Sequence, residues 1–331
     1  MLNPDHSVWI ELIRGVRLAE WRLARMHHTD QPSSSSTGVV WHQPVLVDEV
    51  LSFLAPREGQ AVVDCTVGSG GHSLAVVPRL LPGGHLIGLD RDAQALEAAR
   101  QRLVEFQPVV HLLHENFRAL PALLQRLDLP AVDGVIADLG MSSLQLEQGT
   151  RGFSFSKEGP LDMRMDARQP TTAATLIQHW SEPDLAHVLE TYGEEPFARR
   201  IAKRIVAARA VSPIQTTTQL ARIVADAVPA RGGRLHPATK TFMALRIAVN
   251  EQFESLKALL AALPTVLKRG GRAAIITFHS LEDRLVKQAF QQSAKAGVVR
   301  ILTKHVVRPS ESERLRNPRS RSAKLRVVER I

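Results

Sequence analysis

Three short apolar runs in the first half of the chain each end on an aspartate, and this repeated pattern constrains the fold more than any other feature. Ala61-Val62-Val63-Asp64, His85-Leu86-Ile87-Gly88-Leu89-Asp90 and Gly134-Val135-Ile136-Ala137-Asp138 read as buried strands. A further apolar run at 109–113 lies between the second and third. The segments 44–54, 74–81, 93–106 and 120–127 carry helical spacing. Strands that alternate with helices imply a parallel sheet covered on both faces. Beyond 145 the alternation stops. Helical stretches follow at 172–179, 182–191, 195–210, 216–228 and about 240–267 before strand character returns at 271–278. The expected architecture is α/β, a doubly wound, mostly parallel sheet interrupted by a helical insertion. The expected divisions are a flexible extension over 1–38, the sheet domain over 39–144 and 240–331, and the helical insertion over 145–239.

Composition narrows the classes further. Cys65 is the only cysteine among 331 residues, which removes a disulfide framework and any cysteine-based metal cluster. His27-His28 and the alternating His111 and His114 lack metal-ligand spacing, so no metal site is expected. No apolar run reaches the roughly 18 residues a membrane span needs, and no secretory pattern opens the chain, so a cytoplasmic location is expected. The formal net charge of +9 is unevenly placed. Residues 191–240 and 301–331 each carry nine basic and three acidic residues, leaving the remainder mildly acidic. Two basic islands are either an electrostatic footprint for a polyanion or two solvated surfaces.

In an open parallel sheet the ligand lies beyond the carboxyl ends of the strands, near the reversal of strand order. Asp64, Asp90 and Asp138 all fall there. The first strand runs into Asp64-Cys65-Thr66-Val67-Gly68-Ser69-Gly70-Gly71-His72. Gly68, Gly70 and Gly71 let a backbone approach a ligand closely, and the helix N-terminus that follows offers N–H groups to an anion. The dinucleotide fingerprint G-x-G-x-x-G has Ser73 at its third glycine position, which disfavours a pyrophosphate cradle and a nicotinamide oxidoreductase. S-adenosylmethionine suits these residues better, since it carries a carboxylate, an ammonium and a sulfonium but no phosphate. The loop amides hold the carboxylate, Asp64 balances the positive charge, Asp90 accepts from the ribose hydroxyls, and Phe117 offers a face to adenine.

Longer strings carry a resemblance. Asp64-Cys65-Thr66-Val67-Gly68-Ser69-Gly70-Gly71-His72-Ser73, Leu89-Asp90-Arg91-Asp92 and Ala137-Asp138-Leu139-Gly140-Met141-Ser142-Ser143-Leu144-Gln145-Leu146 are followed by Arg151-Gly152-Phe153-Ser154-Phe155 and Gly159-Pro160-Leu161-Asp162-Met163-Arg164-Met165-Asp166. Then come Tyr192-Gly193-Glu194-Glu195, His236-Pro237-Ala238-Thr239-Lys240-Thr241-Phe242, Phe278-His279-Ser280-Leu281-Glu282-Asp283-Arg284 and Asn317-Pro318-Arg319-Ser320-Arg321-Ser322-Ala323-Lys324-Leu325-Arg326. Together, over about residues 40–330, they resemble the ribosomal small-subunit methyltransferase H family, also called MraW. The resemblance implies a Rossmann-like methyltransferase sheet. It also implies methyl transfer from S-adenosylmethionine to the exocyclic N4 of a cytosine in 16S ribosomal RNA near the decoding site, within the small ribosomal subunit. On that basis Gly70, Gly71, His72, Asp90, Phe117, Asp138 and Gln145 contact the cofactor.

The chemistry sets further expectations. Cytosine N4 is a poor nucleophile because its lone pair is delocalised into the ring, so the site must accept hydrogen bonds from the amino protons. Asp138 is the first candidate acceptor, although the family places it against the cofactor. The Asp/Asn/Ser-Pro-Pro-aromatic string of many amino-methyltransferases is absent here, where Asp138-Leu139-Gly140-Met141-Ser142 stands instead. Methylation at C5 requires a cysteine nucleophile, and Cys65 reads more readily as a small buried residue. Phe153 and Phe155, beside Arg151 and Lys157, form either a base-stacking edge or anchors of the insertion. Met163 and Met165 read as core. Arg199, Arg200, Lys203 and Arg204 recur at helical spacing, and Arg314, Arg316, Arg319, Arg321, Lys324 and Arg326 form a denser basic run. Both suit RNA phosphates. His279, just past the strand at 271–278, suits a substrate-facing loop. Two other classes compete: a non-catalytic ribosome assembly factor that retains the fold, and a small-molecule methyltransferase, which the basic islands disfavour.

Overall fold

The computed structural model describes residues 43–142, 145, 148–229 and 236–331. The extension expected over 1–38 lies outside the described residues. The chain divides into two compact units. One takes in the described residues up to Asp90, then Ala95–Gly140 and Leu259–Ile331, and the other comprises Arg91–Gln94 and Met141–Ala258.

The first unit is built on a seven-stranded sheet. Its strands are β1 (Ala61–Asp64), β2 (His85–Asp90), β3 (Val110–His114), β4 (Val132–Asp138), β5 (Leu267–Thr277), β6 (Val299–Ile301) and β7 (Lys324–Arg330). They lie in the order β3-β2-β1-β4-β5-β7-β6. Only β7 runs against the others, pairing antiparallel with both β5 and β6. Strand order reverses between β1 and β4, where Asp64 pairs with Ile136. Asp64 and Asp138 therefore flank the reversal, and Asp90 ends the neighbouring strand β2. The helices α1 (Val47–Leu54), α2 (Gly71–Leu80), α3 (Ala93–Arg102) and α4 (Leu120–Arg126) connect or precede these strands. Val50, Leu54, Val76, Leu80, Leu96 and Leu103 from α1, α2 and the region of α3 bury against Val62, Leu86 and Ile136. Gly88 on β2 has a packing reason, because a Cβ there would lie 2.6 Å from the Leu112 side chain.

The second unit is helical, as the pattern after 145 predicts. It contains α5 (Ala173–His179), α6 (Glu182–Gly193), α7 (Ala198–Val211), α8 (Thr217–Ala227) and α9 (Thr239–Val249). Thr172, Ser181 and Thr216 cap α5, α6 and α8, each accepting a backbone N–H three residues on. Ile177, Leu189, Ile201, Leu220, Phe242 and Leu245 share one core with Met163 and Met165. Because Phe242, Leu245 and Val249 belong to that core, this unit continues past the expected boundary at 239, to Ala258.

The structure differs from the expected elements in two places. The helix expected over about 240–267 is two, α9 and α10 (Gln252–Val266), broken at Asn250 and Glu251, where Glu251 takes a left-handed φ of 46°. The basic run from Arg314 to Arg326 falls on α12 (Glu311–Arg316), a 3-10 turn at Pro318–Ser322 and β7, a strand the sequence reading does not expect, which inserts between β5 and β6. A further helix, α11 (Ser280–Lys295), follows β5.

Candidate functional site

The carboxyl end of β1 turns through Thr66 to Gly70 and enters α2. Gly70 is the N-cap of that helix at φ 80°, and no side chain caps it. The first-turn amides of a ten-residue helix thus lie at the strand-order reversal with no side-chain cap among the described residues. The loop glycines also serve packing. A Cβ on Gly71 would lie 3.0 Å from the Pro44 ring, and one on Gly70 would lie 3.2 Å from Leu103.

The three strand-end aspartates have different situations. Asp64 is 1% exposed. Its Oδ2 accepts from Ser73 Oγ at 2.7 Å and its Oδ1 from the Thr66 N–H at 3.2 Å. Burial pushes its carboxyl up, against the opposing pull of nearby His72 and these hydrogen bonds. A carboxylate sealed and bonded in this way shapes the loop. Ser73, noted in the sequence only as a missing glycine, supplies the partner that makes its burial tolerable. Asp90 is partly exposed and its Oδ2 accepts the Gly68 N–H at 2.9 Å, so the ribose candidate also braces the glycine loop.

Asp138 makes two hydrogen bonds and has one imidazole nearby. Its N–H donates to Thr66 Oγ1 at 2.6 Å, its Oδ1 accepts the Gly140 N–H at 3.1 Å, and its Oδ2 lies 3.8 Å from His72 Nδ1. His72 Nε2 bonds the Val45 carbonyl at 2.8 Å, which fixes the ring and turns Nδ1 toward Asp138. Phe117 opens the 3-10 turn Phe117–Ala119 after β3 and is half-buried. Uncapped helix amides, partly exposed carboxylates, an aromatic face and no third glycine fit S-adenosylmethionine and argue against a dinucleotide. Cys65 is buried, and burial together with the Asp64 charge pushes its thiol well up, away from the thiolate a nucleophile needs. Among the described residues no group of three or more His, Cys, Asp or Glu could hold a metal ion.

In the helical unit, Gln145 is buried. Its Nε2 donates to Asp92 Oδ2 at 3.0 Å and its Oε1 accepts the Ser142 N–H at 3.2 Å. Asp92 also takes Arg151 Nη1 at 2.9 Å. Phe153 is 7% exposed within the helical core, which fits its reading as an anchor of the insertion and not as a base-stacking edge. Phe155 is engaged too, its ring 4.6 Å from His236 and 4.9 Å from Phe242. Arg199, Arg200, Lys203 and Arg204 form an exposed basic face on α7.

Back in the sheet unit, Arg319 and Arg321 are exposed on the 3-10 turn. Lys324, expected at RNA, lies 3.5 Å from Asp283, which Arg326 also binds at 2.6 Å. Burial opposes ionisation of Asp283, but the Arg326 hydrogen bond and the two cations outweigh it and hold the carboxyl low. His279 is the N-cap of α11. Its Nδ1 accepts the Glu282 N–H, and its Nε2 lies 2.9 Å from the Glu282 carboxylate, so the ring is committed to that helix end. Thr66 is the residue the sequence left unmarked. Its one signal was a hydroxyl between the strand-end Asp64 and the glycines.

A family model described as the MraW methylase family matches residues 39–331. The ribosomal RNA small subunit methyltransferase H of Symbiobacterium thermophilum is 47% identical over 307 residues, covering 88% of this chain and 96% of that protein. Its namesake in Thermomicrobium roseum is 47% identical over 305 residues, covering 88% and 94%. A solved structure described as a putative rRNA-methylase from Clostridium thermocellum aligns at TM-score 0.41 and 11% identity, over 86% of this chain and 95% of that one.

Proposed function

The chain belongs to the MraW methylase family, and from that membership we propose that it methylates the exocyclic N4 of one cytosine in 16S ribosomal RNA, near the decoding site. S-adenosylmethionine is its cofactor. The observation that carries the proposal is the 47% identity, over 88% of the chain, to a protein named for small-subunit ribosomal RNA methylation.

Bound S-adenosylmethionine supplies an electrophilic sulfonium methyl. The chain's own residues supply placement and electrostatics. The α2 amides receive a carboxylate, Asp90 accepts from ribose hydroxyls and Phe117 covers one face of adenine. Asp138, partly exposed and held at its N–H and at one carboxylate oxygen, accepts hydrogen bonds from the amino group of the target and so frees the N4 lone pair. The buried, high-pKa Cys65 supports N4 over C5, which needs a thiolate. The exposed basic face of α7, with Arg319 and Arg321, binds RNA phosphates. Those contacts carry little sequence information, so the shape of the small subunit selects the cytosine. Such a substrate is met in the cytoplasm. No helix among the described residues is long and apolar enough to cross a membrane.

The test is methyl transfer from labelled S-adenosylmethionine to unmethylated small subunits, with naked rRNA and tRNA in parallel, followed by digestion to nucleosides. N4-methylcytidine at a single position, formed best on subunits, is the expected product. A C5-methyl product overturns the chemistry. Tight cofactor binding with no transfer to any of the three substrates moves the assignment to an assembly factor.

A further inference from the structure

The pairing of β1 with β4 ends on a side chain. Cys65 N–H donates to the Ile136 carbonyl at 2.8 Å, a backbone link between the two strands. The next link is made by the Asp138 N–H, which donates to Thr66 Oγ1 at 2.6 Å. Thr66 is itself fixed, because its N–H donates to Asp64 Oδ1 and the other oxygen of Asp64 holds Ser73. A chain of hydrogen bonds therefore runs from the buried Asp64 through Thr66 to the backbone of Asp138, at the strand-order reversal. The Asp138 carboxylate is steadied separately by the Gly140 N–H.

We propose that Thr66 is a positioning residue for the reaction, its hydroxyl fixing the end of β4 so that the Asp138 carboxylate keeps its working orientation. The inference rests on the reading that Asp138 meets the cofactor or the target amine. The hydroxyl is needed as an acceptor, and the Thr66 methyl is not. Without it the Asp138 N–H loses its partner and the strand end shifts to find another. A misplacement of about 1 Å at a reacting group lowers a rate by up to about a hundredfold.

The experiment compares wild-type protein with Thr66→Val, Thr66→Ser, Asp138→Asn and the Thr66→Val/Asp138→Asn pair. It measures cofactor affinity by equilibrium binding, and kcat and KM for methyl transfer to small subunits. Thr66→Val should lower kcat by about tenfold or more while KM for the subunits stays within about twofold. Thr66→Ser, which keeps the acceptor, should recover most of the rate. In the Asp138→Asn background Thr66→Val should lower kcat little further, because the two act as one unit. Three results overturn the proposal: wild-type kinetics in Thr66→Val, no recovery in Thr66→Ser, or full additivity with Asp138→Asn. Failure of the underlying reading looks different, since wild-type protein would then transfer no methyl, or Asp138→Asn would match it in both affinity and rate.

Discussion

Asn250 Nδ2 donates a hydrogen bond to the Met163 carbonyl at 2.7 Å, and Met163 sits in left-handed backbone at φ 61°. The same side chain accepts the Met165 N–H at 2.8 Å and donates to the Arg246 carbonyl at 2.9 Å. A single fully buried amide thus holds a strained loop and ends α9. Asn250→Ala leaves the Met165 N–H and the Met163 carbonyl without this partner, at a cost of about 3 kcal/mol. Asn250→Asp should be at least as damaging, since it sets an acceptor against two carbonyls. Urea midpoints at neutral pH measure both, and a shift within error for Asn250→Ala would refute the assignment.

Arg151 should behave as the counter-ion of a buried charge. It bonds Asp92 at 2.9 Å and the Arg164 and Met165 carbonyls at 3.0 and 3.1 Å. Arg151→Ala removes the cation from a carboxylate that is 2% exposed, at a cost of about 3 kcal/mol. Adding Asp92→Asn to Arg151→Ala should recover part of that loss, because the buried charge that Arg151 balanced is then gone. Thermal or urea denaturation of both singles and the double gives the coupling, and strict additivity would rule out the pair.

The basic face of α7 should act on binding and not on folding. Arg199, Arg200 and Lys203 are exposed, so replacing each with glutamine should leave the melting temperature almost unchanged. Affinity for small subunits should fall with each replacement. The slope of log affinity against log salt should become shallower by about one for each RNA phosphate that is no longer neutralised. Lys324→Ala is the contrast, since it disturbs the Asp283 cluster beside β7. An unaltered salt slope in the triple glutamine variant would remove α7 from the RNA-binding surface.

These contrasts also mark what a sequence can reveal. Asp64, Asp90 and Asp138 were legible because an apolar run that stops on an acid reports burial and a strand end at once. The glycines after Asp64 located the loop for the same local reason. Strand β7 was not legible, since Lys324, Arg326 and Arg330 dominate its composition while Leu325, Val327 and Val328 turn into the core. Its place between β5 and β6 depends on partners far away in the chain. The break at Asn250 carries neither Pro nor Gly, and hydrogen bonds to the distant loop at Met163 and Met165 set it. Phe153 beside Arg151 reads like a stacking edge, whereas the guanidinium lies 5.6 Å from its ring within a packed core.

A histidine pair should make the sheet unit sensitive to mild acid. His85 and His111 face each other across β2 and β3 with ring centroids 5.6 Å apart. Burial, with a smaller contribution from His85, pushes His111 from an ordinary 6.5 down to about 4, and burial lowers His85 as well. His85 Nδ1 and His111 Nε2 have no hydrogen-bond partner among the described residues, so nothing offsets protonation there. Between pH 6.5 and 4 the unfolded chain binds protons that the folded chain refuses, so stability rises with pH across that window. The contribution of His111 is complete above 6.5 and shrinks by about 3 kcal/mol as the pH falls through the window to 4. Carboxylates held low, such as Asp283, lose stability in the same direction but further into acid. The informative quantity is therefore the difference between wild type and His111→Leu, followed by urea denaturation from pH 7.5 downward. The variant should lose less stability than wild type between pH 6.5 and 5, where these carboxylates are still ionised. Parallel curves would show that His111 titrates as it does in the unfolded chain, and the pair would carry no acid sensitivity.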